Sequence, residues 1–217
     1  MRSRFDEQLT LLNRELIEMG AMCEEAIALA AKALMDGDAS LAARVAPLDG
    51  EIGQREHDIE SMCLKLLLQQ QPVARDLRTV SAALKMVTDM ERIGHQAEDI
   101  AEIVPFLHDR SNEACGFIGE MARESVKMVT ESVNAFVRRD TALAERVIGY
   151  DDVVDGWFTK VKGALIELIS ANPDNGGCAL DLLMIAKYFE RIGDHAANIA
   201  EWVVFSVTGV HKGESEI

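Results

Sequence analysis

The residues of this chain best suited to chemistry are carboxylates repeated at helical spacing. Asp151 and Asp155 are four residues apart, and so are Glu190 and Asp194. Side chains four residues apart share one face of an α-helix. If the two helices pack side by side, four carboxylates come together, and their repulsion favours the binding of protons or cations. Oxygen ligands suit Mg²⁺, Ca²⁺ or Mn²⁺, and iron is also possible.

The first half of the chain carries a related acidic stripe. Its members are Glu91, His95, Glu98 and Glu102. A helix expected to pack beside it offers Asp49 and Glu56, which are seven residues apart. The faces opposite the two stripes are aliphatic, which predicts that the stripes point away from the core. The aliphatic residues are Ile93, Ile100, Ile185, Ile192, Ile199 and Val203.

One glycine interrupts each stripe. Gly94 lies between Glu91 and His95, and Gly193 lies between Glu190 and Asp194. Glycine inside a helix costs about 1 kcal/mol relative to alanine. We predict that the missing side chain lets a neighbouring backbone or a cation approach closely.

Solvation alone explains many acidic helix faces, and the acids of Glu91-Arg92 and Glu190-Arg191 could equally serve surface ion pairs. The recurrence of one pattern on two helices of each half favours a metal site.

His57, His108 and His211 have no partner at ligand spacing and are predicted to lie at the surface. His195 could be a flanking ligand, a helix-packing residue or a surface residue.

Breaker residues divide the chain into six amphipathic stretches. They cover about 5–34, 40–71, 75–107, 113–137, 143–170 and 179–207, with a polar connector at 108–112. Apolar residues repeat at steps of three and four, as in Leu9, Leu12, Leu16 and Met19, which predicts helices. Suitable N-cap types are Asp38, Ser40, Asp140 and Thr141. Pro47 and Gly149 each predict a kink, or a long helix that begins just after them.

The chain contains an internal duplication. Nine of the seventeen residues in 88–104 are identical to those in 187–203, and six of sixteen match between 37–52 and 139–154. The offset stays between 99 and 102 residues along the chain. We therefore predict an all-α fold of six long helices in two pseudo-symmetric three-helix bundles, 1–110 and 111–217.

Composition narrows the classes of partner. The formal charge of −15 disfavours nucleic acid and bare anionic membranes, and suits cations or a basic protein partner. No stretch resembles a signal peptide or a membrane span, so we expect a cytoplasmic protein without membrane insertion. The cysteines are predicted to be buried small hydrophobes in a reducing compartment. They are Cys23, Cys63, Cys115 and Cys178.

Three segments together resemble the PhoU family of phosphate-signalling proteins. They are the ERIG segments near 91 and 190, the QQQPVARDLR turn at 69–78 and the Asp-rich helix starts near 49 and 151. The resemblance covers essentially the whole chain. It implies two three-helix bundles and a cytoplasmic negative regulator of the phosphate-starvation response. The implied partners are the ATPase subunit of the phosphate transporter and a sensor histidine kinase, and a homodimer is also expected.

The resemblance also implies metal clusters, one per half, bound through E(D)-x-x-x-D motifs. Fe, Zn, Mg or Mn ions are the candidates. The second-half motifs fall on Asp151, Asp155, Glu190 and Asp194, all intact. The first half keeps Asp49 and Glu91 but has Gly53 and His95 where the second half has Asp155 and Asp194. Either Glu56 and Asp99 substitute, or His95 supplies a softer nitrogen ligand, or this site is weak or empty. On these residues the second-half site is the stronger prediction.

The basic turn at Arg75 and Arg78 opens the third helix, and it is either a helix-start ion pair or a partner contact. Three functions remain open. The first is a regulator that binds metal and proteins and catalyses nothing. The second is a di-metal carboxylate enzyme in a helical bundle, although neither stripe has the Glu-x-x-His pair of such enzymes. The third is a metal-free structural bundle.

Overall fold

The computed structural model describes residues 2–70, 72, 74–107 and 113–210, and within these ranges it is helical and contains no strand. Two short 3₁₀ turns, Val104–Phe106 and Pro173–Asn175, follow the fourth and sixth helices. The predicted all-α class is confirmed. The α-helices are α1 Arg2–Asp36, α2 Ala39–Ala42, α3 Val45–Gln70, α4 Arg75–Ile103, α5 Glu113–Arg138, α6 Thr141–Ala171 and α7 Gly176–Thr208.

The predicted second helix is in fact two helices. The chain turns after α2, and the long helix α3 begins two residues before Pro47. Proline fits there because the first turn of a helix has no backbone hydrogen bond for its missing N–H to break. The helix α6 is continuous through Gly149, so no helix starts after that glycine.

Equivalent aspartates cap equivalent helices in the two halves. Asp38 accepts a hydrogen bond from the Ser40 backbone N–H at 2.8 Å, and Asp140 accepts one from that of Leu143 at 2.9 Å. These two N-cap predictions are confirmed, whereas Ser40 and Thr141 lie within the first turns. Gly209, with φ of 83°, ends α7 in the left-handed conformation that glycine adopts without strain.

Aliphatic packing joins the two halves through one continuous core. In the first half α1, α3 and α4 pack against one another, and α5, α6 and α7 do so in the second. Across the halves α4 lies along α7 and α1 packs on α5. The predicted aliphatic faces are fully buried, including Ile93 and Ile100 on α4 and Ile192 and Ile199 on α7.

Other predictions about burial are largely confirmed. Cys23, Cys63 and Cys115 are buried, and Cys178 is partly buried. His57 is exposed, as predicted. None of the described helices has an apolar stretch of the length that a membrane span needs. The 108–112 connector with His108, His211 in the polar tail, and Gln71 and Val73 in the basic turn all lie outside the described residues.

Replacing the cap of α6 tests the link between sequence and helix start. Asp140→Ala removes the acceptor for the Leu143 N–H and should lower the free energy of unfolding by about 1 kcal/mol. Chemical denaturation measures this change. Asp140→Ser keeps a capping oxygen and should retain most of the stability, whereas an unchanged Asp140→Ala protein would show that the cap is dispensable.

Candidate metal centre

The register of α4 points its acidic stripe at α3. The buried residues Ile93 and Ile100 fix the inner face of α4, so that Glu91, His95 and Glu98 lie on the other side. The helices α3 and α4 are antiparallel, which places Asp49, near the start of α3, opposite His95 of α4. Packing of the aliphatic faces therefore brings the first-half ligand candidates together.

His95 lies between two carboxylates. Its Nδ1 is 2.8 Å from Oδ1 and 2.9 Å from Oδ2 of Asp49, and its Nε2 is 2.8 Å from Oε1 of Glu91. Asp49 is only 7% exposed, so one side of the ring rests on a buried, fixed group. Burial alone would lower the pKa of His95. The hydrogen bond to Asp49 and the charges of Asp49, Glu91 and Glu98 outweigh burial and raise it.

Glu98 completes the first-half set. One ligand atom each from Asp49, His95 and Glu98 lie within 4.8 Å of one another. Burial raises the pKa of the Glu98 carboxyl, and the charge and hydrogen bond of Asp49 add to the effect. Sequence reasoning placed Glu98 on the stripe but not among the ligands. Its position three residues after His95, on the same helix face, was the available signal.

Glu56 and Asp99 lie outside this set of three. Burial raises the pKa of Glu56, and the charges of Glu60 and Glu91 raise it further, so Glu56 lies near the stripe. Burial and Glu102 raise the pKa of Asp99, whereas Arg191 of α7 lowers it. Asp99 therefore lies on the side of α4 that faces the other half. Of the three alternatives for this site, the geometry favours the nitrogen ligand of His95.

The second half gathers carboxylates alone. Burial raises the pKa of Asp151 to about 6, and the charges of Asp194, Asp155 and Glu190 contribute further. Burial and Glu190 also raise the pKa of Asp194. Glu190 forms an ion pair with Lys187. The four predicted ligands thus act electrostatically on one another, beside an open cleft of about 420 Å³ that Asp151, Asp194 and Glu201 help to line.

The two stripe glycines make room for an aspartate of the neighbouring helix. A Cβ atom on Gly94 would lie 2.8 Å from Oδ1 of Asp49, and one on Gly193 would lie 3.2 Å from Oδ1 of Asp151. Both distances are too short for ordinary carbon–oxygen contact. A close approach at the glycines is therefore present in both halves, but the approaching group is a carboxylate side chain and not the backbone or cation that we predicted.

Sequence reasoning missed a polar contact between the halves. Nδ1 of His195 lies 2.9 Å from Oδ1 of Asp89, and Asn198 donates to the same oxygen at 3.4 Å. His195 therefore bonds α7 to α4, which is the helix-packing role left open for it. Asp89 is two residues before the ERIG segment and has no acidic partner at helical spacing, so no pattern singled it out.

The first-half donor set fits a divalent cation, because one ligand atom from each of its three side chains lies within 4.8 Å of the others. Among the described residues, the second-half carboxylates do not converge to that distance as a group of three. Each half nevertheless has an aspartate on one helix facing an acidic stripe on the next, with a glycine that leaves the space between them open. Burial, followed by neighbouring like charges, raises carboxyl pKa values in both halves, and a bound cation would relieve the part due to charge.

Comparison with known proteins agrees with this architecture. The PhoU domain family matches residues 16–104 and 118–203, so each half carries one copy. A phosphate-specific transport system accessory protein PhoU homolog from Pseudomonas aeruginosa is 34% identical, with 95% of this chain and 86% of the relative covered. A protein of the same description from Clostridium acetobutylicum is 32% identical, with 96% of each chain covered.

Solved structures show the same fold. The crystal structure of PhoU from Pseudomonas aeruginosa superposes with a TM-score of 0.89 at 33% identity, covering 95% of this chain and all of that one. The structure of the phosphate transport system regulatory protein PhoU from Streptococcus pneumoniae gives 0.86 at 27% identity, covering 95% and 98%. The acidic helix stripes, the duplicated three-helix unit and these matches lead to one conclusion: the chain belongs to the PhoU family.

Proposed function

We propose that this protein is a metal-binding, non-catalytic regulator that restrains phosphate uptake and the phosphate-starvation response. The observation that carries the proposal is the match of both halves to the PhoU domain, with an acidic stripe retained in each. Relatives across most of the chain are described as accessory proteins of phosphate-specific transport. A homodimer in the cytoplasm is part of the same proposal.

Metal ions are proposed to bind at both stripes. Asp49, His95 and Glu98 would hold one in the first half, with Glu91 behind the ring of His95. Asp151, Asp155, Glu190 and Asp194 would hold metal in the second. Fe, Zn, Mg and Mn ions are the candidates. Bound cations would neutralise the crowded carboxylates and fix α3 against α4 and α6 against α7.

The exposure of the site supports regulation more than catalysis. The side chains of His95 and Glu91 are 44% and 22% exposed. Di-metal bundle enzymes instead place their ligands in the bundle core, on the inner faces of the helices. A stripe on the outer face is suited to changing the surface that a partner protein meets.

A basic cluster on this acidic protein is the proposed contact for the transporter ATPase or the sensor histidine kinase. Arg75 and Arg78 open α4, and Arg78 lies against Gly209 at the end of α7. Burial lowers the pKa of Arg139, and the charges of Arg75 and Arg78 lower it further while Asp76 opposes them, so the three guanidinium groups repel one another. A carboxylate-bearing partner would relieve that repulsion.

Metal analysis tests the second-half site. Purified Asp151→Asn/Asp194→Asn protein should contain less bound metal per chain than the wild type, because two ligands lose their charge. Glu145→Gln/Glu167→Gln is the matched control, since both residues are exposed on α6 and the loss of charge is the same. Equal metal content per chain in the wild type and in the ligand variant would refute metal binding at this site.

The pH dependence of folding stability gives a second test of the crowding of these carboxylates. Folding raises the pKa of Asp151 from 3.8 to about 6, so folding favours its protonated form. The resulting stability is fully present below about pH 4 and is lost as the pH rises through about 6. In metal-free protein, Asp151→Asn should therefore gain thermal stability relative to the wild type as the pH rises from about 4 to 7.

Differential scanning calorimetry across this pH range measures the difference between the two proteins. Glu145→Gln should track the wild type. A constant difference between wild type and Asp151→Asn at every pH would show that Asp151 is not held against its acidic neighbours.

A gene deletion tests the regulatory role. Without this protein, phosphate-starvation genes should be expressed even in phosphate-rich medium, and the wild-type gene should restore repression. Arg75→Glu/Arg78→Glu should fail to restore it while keeping normal thermal stability and metal content, because only the basic cluster is reversed. Arg44→Glu/Arg146→Glu, at two other exposed arginines, is the control. Repression that persists after deletion would contradict the regulatory function.

A further inference from the structure

The two halves offer chemically different donors although they share one ancestral pattern. In the second half the candidate ligands are all carboxylates. In the first half His95 stands at the position of Asp194, and Gly53 stands at that of Asp155. The first half has thus exchanged two oxygen donors for one imidazole.

The imidazole is held between two carboxylates, one at each ring nitrogen, rather than left free at the surface. Oε1 of Glu91 is 2.8 Å from Nε2 of His95, while the two oxygens of Asp49 are 2.8 and 2.9 Å from Nδ1. A carboxylate behind one ring nitrogen is the usual companion of a metal-binding histidine, because it fixes the orientation of the ring and makes the other nitrogen a better donor.

The remaining donors converge on the same point. Glu98, on the same face of α4, brings an oxygen within 4.8 Å of the ligand atoms of Asp49 and His95. Gly94 keeps the space open, since a Cβ there would lie 2.8 Å from Oδ1 of Asp49 and push that carboxylate away from its place. One nitrogen and two carboxylate oxygens are therefore available to a single ion.

We propose that the two halves differ in metal selectivity: the first-half site has the stronger preference for a borderline transition-metal ion of the Zn²⁺ class, and the second-half site binds hard cations such as Mn²⁺ or Mg²⁺ relatively better. Imidazole nitrogen favours Zn²⁺ and Fe²⁺, whereas sites of carboxylate alone suit Mg²⁺ and Mn²⁺. This inference rests on the proposed function, because it assumes that the stripes bind metal.

Single-site proteins allow each half to be measured alone. Asp151→Asn/Asp194→Asn leaves the first-half site, and Asp49→Asn/Glu98→Gln leaves the second-half site. Each is titrated calorimetrically with Zn²⁺ and with Mn²⁺. The general order of divalent affinities makes both sites prefer Zn²⁺ to Mn²⁺. The ratio of Zn²⁺ affinity to Mn²⁺ affinity should be at least about tenfold larger in the first half than in the second.

His95 and Asp194 occupy equivalent positions, so exchanging these two residue types should shift the metal selectivity. His95→Asp in the first-half protein should lower the Zn²⁺ preference to that of the second half. Asp194→His in the second-half protein should raise it. Cu²⁺ bound to the first-half protein should show nitrogen hyperfine coupling in electron paramagnetic resonance, which His95→Asp removes. The exposed His57 provides the control, because His57→Asp should change neither readout.

The outcomes distinguish the proposed difference in metal selectivity from the proposed metal binding on which it rests. Equal metal preferences in the two halves, unmoved by His95→Asp, would overturn the selectivity while leaving metal binding intact. Binding by the second half alone would also overturn it, and would make His95 only an ion-pair partner of Asp49 and Glu91. No binding by either half would refute the proposed metal function itself. Should Asp49→Asn/Glu98→Gln fail to fold, His95→Asp in the otherwise unchanged chain gives the same contrast.

Discussion

The architecture depends on holding a carboxylate of one helix against the acidic stripe of the next. Asp49 faces Gly94 and Asp151 faces Gly193. Each aspartate comes so close that a Cβ atom on the glycine would crowd its carboxylate. Repulsion between partly exposed charges amounts to a few kcal/mol at most. Burial of each large aliphatic side chain contributes about 1.5–3 kcal/mol, so packing outweighs the repulsion. Ile52 at Gly94 and Val154 at Gly193 supply that packing at the site itself.

Much of this arrangement could be predicted from the sequence, because it follows from helical periodicity and duplication. The stripe faces, the buried aliphatic faces, the Asp38 and Asp140 caps and the approach at the glycines all depend on neighbours along one helix or on the repeat offset. What could not be predicted depends on contacts between helices. The break between α2 and α3, the choice of Glu98 over Glu56 and the bond from His195 to Asp89 are set by how neighbouring helices and turns pack.

The two stripes are joined through the helices that carry them. Because α4 packs along α7, residues beside each stripe bond to the opposite half. His195, next to Asp194, reaches Asp89 on α4, and Arg191, next to Glu190, lies close enough to Asp99 to lower its pKa. The acidic stripe of α7 is therefore flanked by residues that bond or pair with α4, so the stripe and the packing of the two halves lie on the same stretch of helix.

The replacement of an aspartate by His95, together with Gly53 at the position of Asp155, changes how each half balances its charge. In the second half, the charges of Asp194, Asp155 and Glu190 add to burial in raising the pKa of Asp151, so relief of that crowding comes from protons or from a cation. In the first half, the pKa of His95 is raised by Asp49, Glu91 and Glu98, so the ring itself can carry a positive charge among them. When protonated, the ring therefore partly offsets the carboxylates around it. In the second half the positive charge comes instead from Lys187, which forms an ion pair with Glu190 and opposes the rise in the pKa of Asp194.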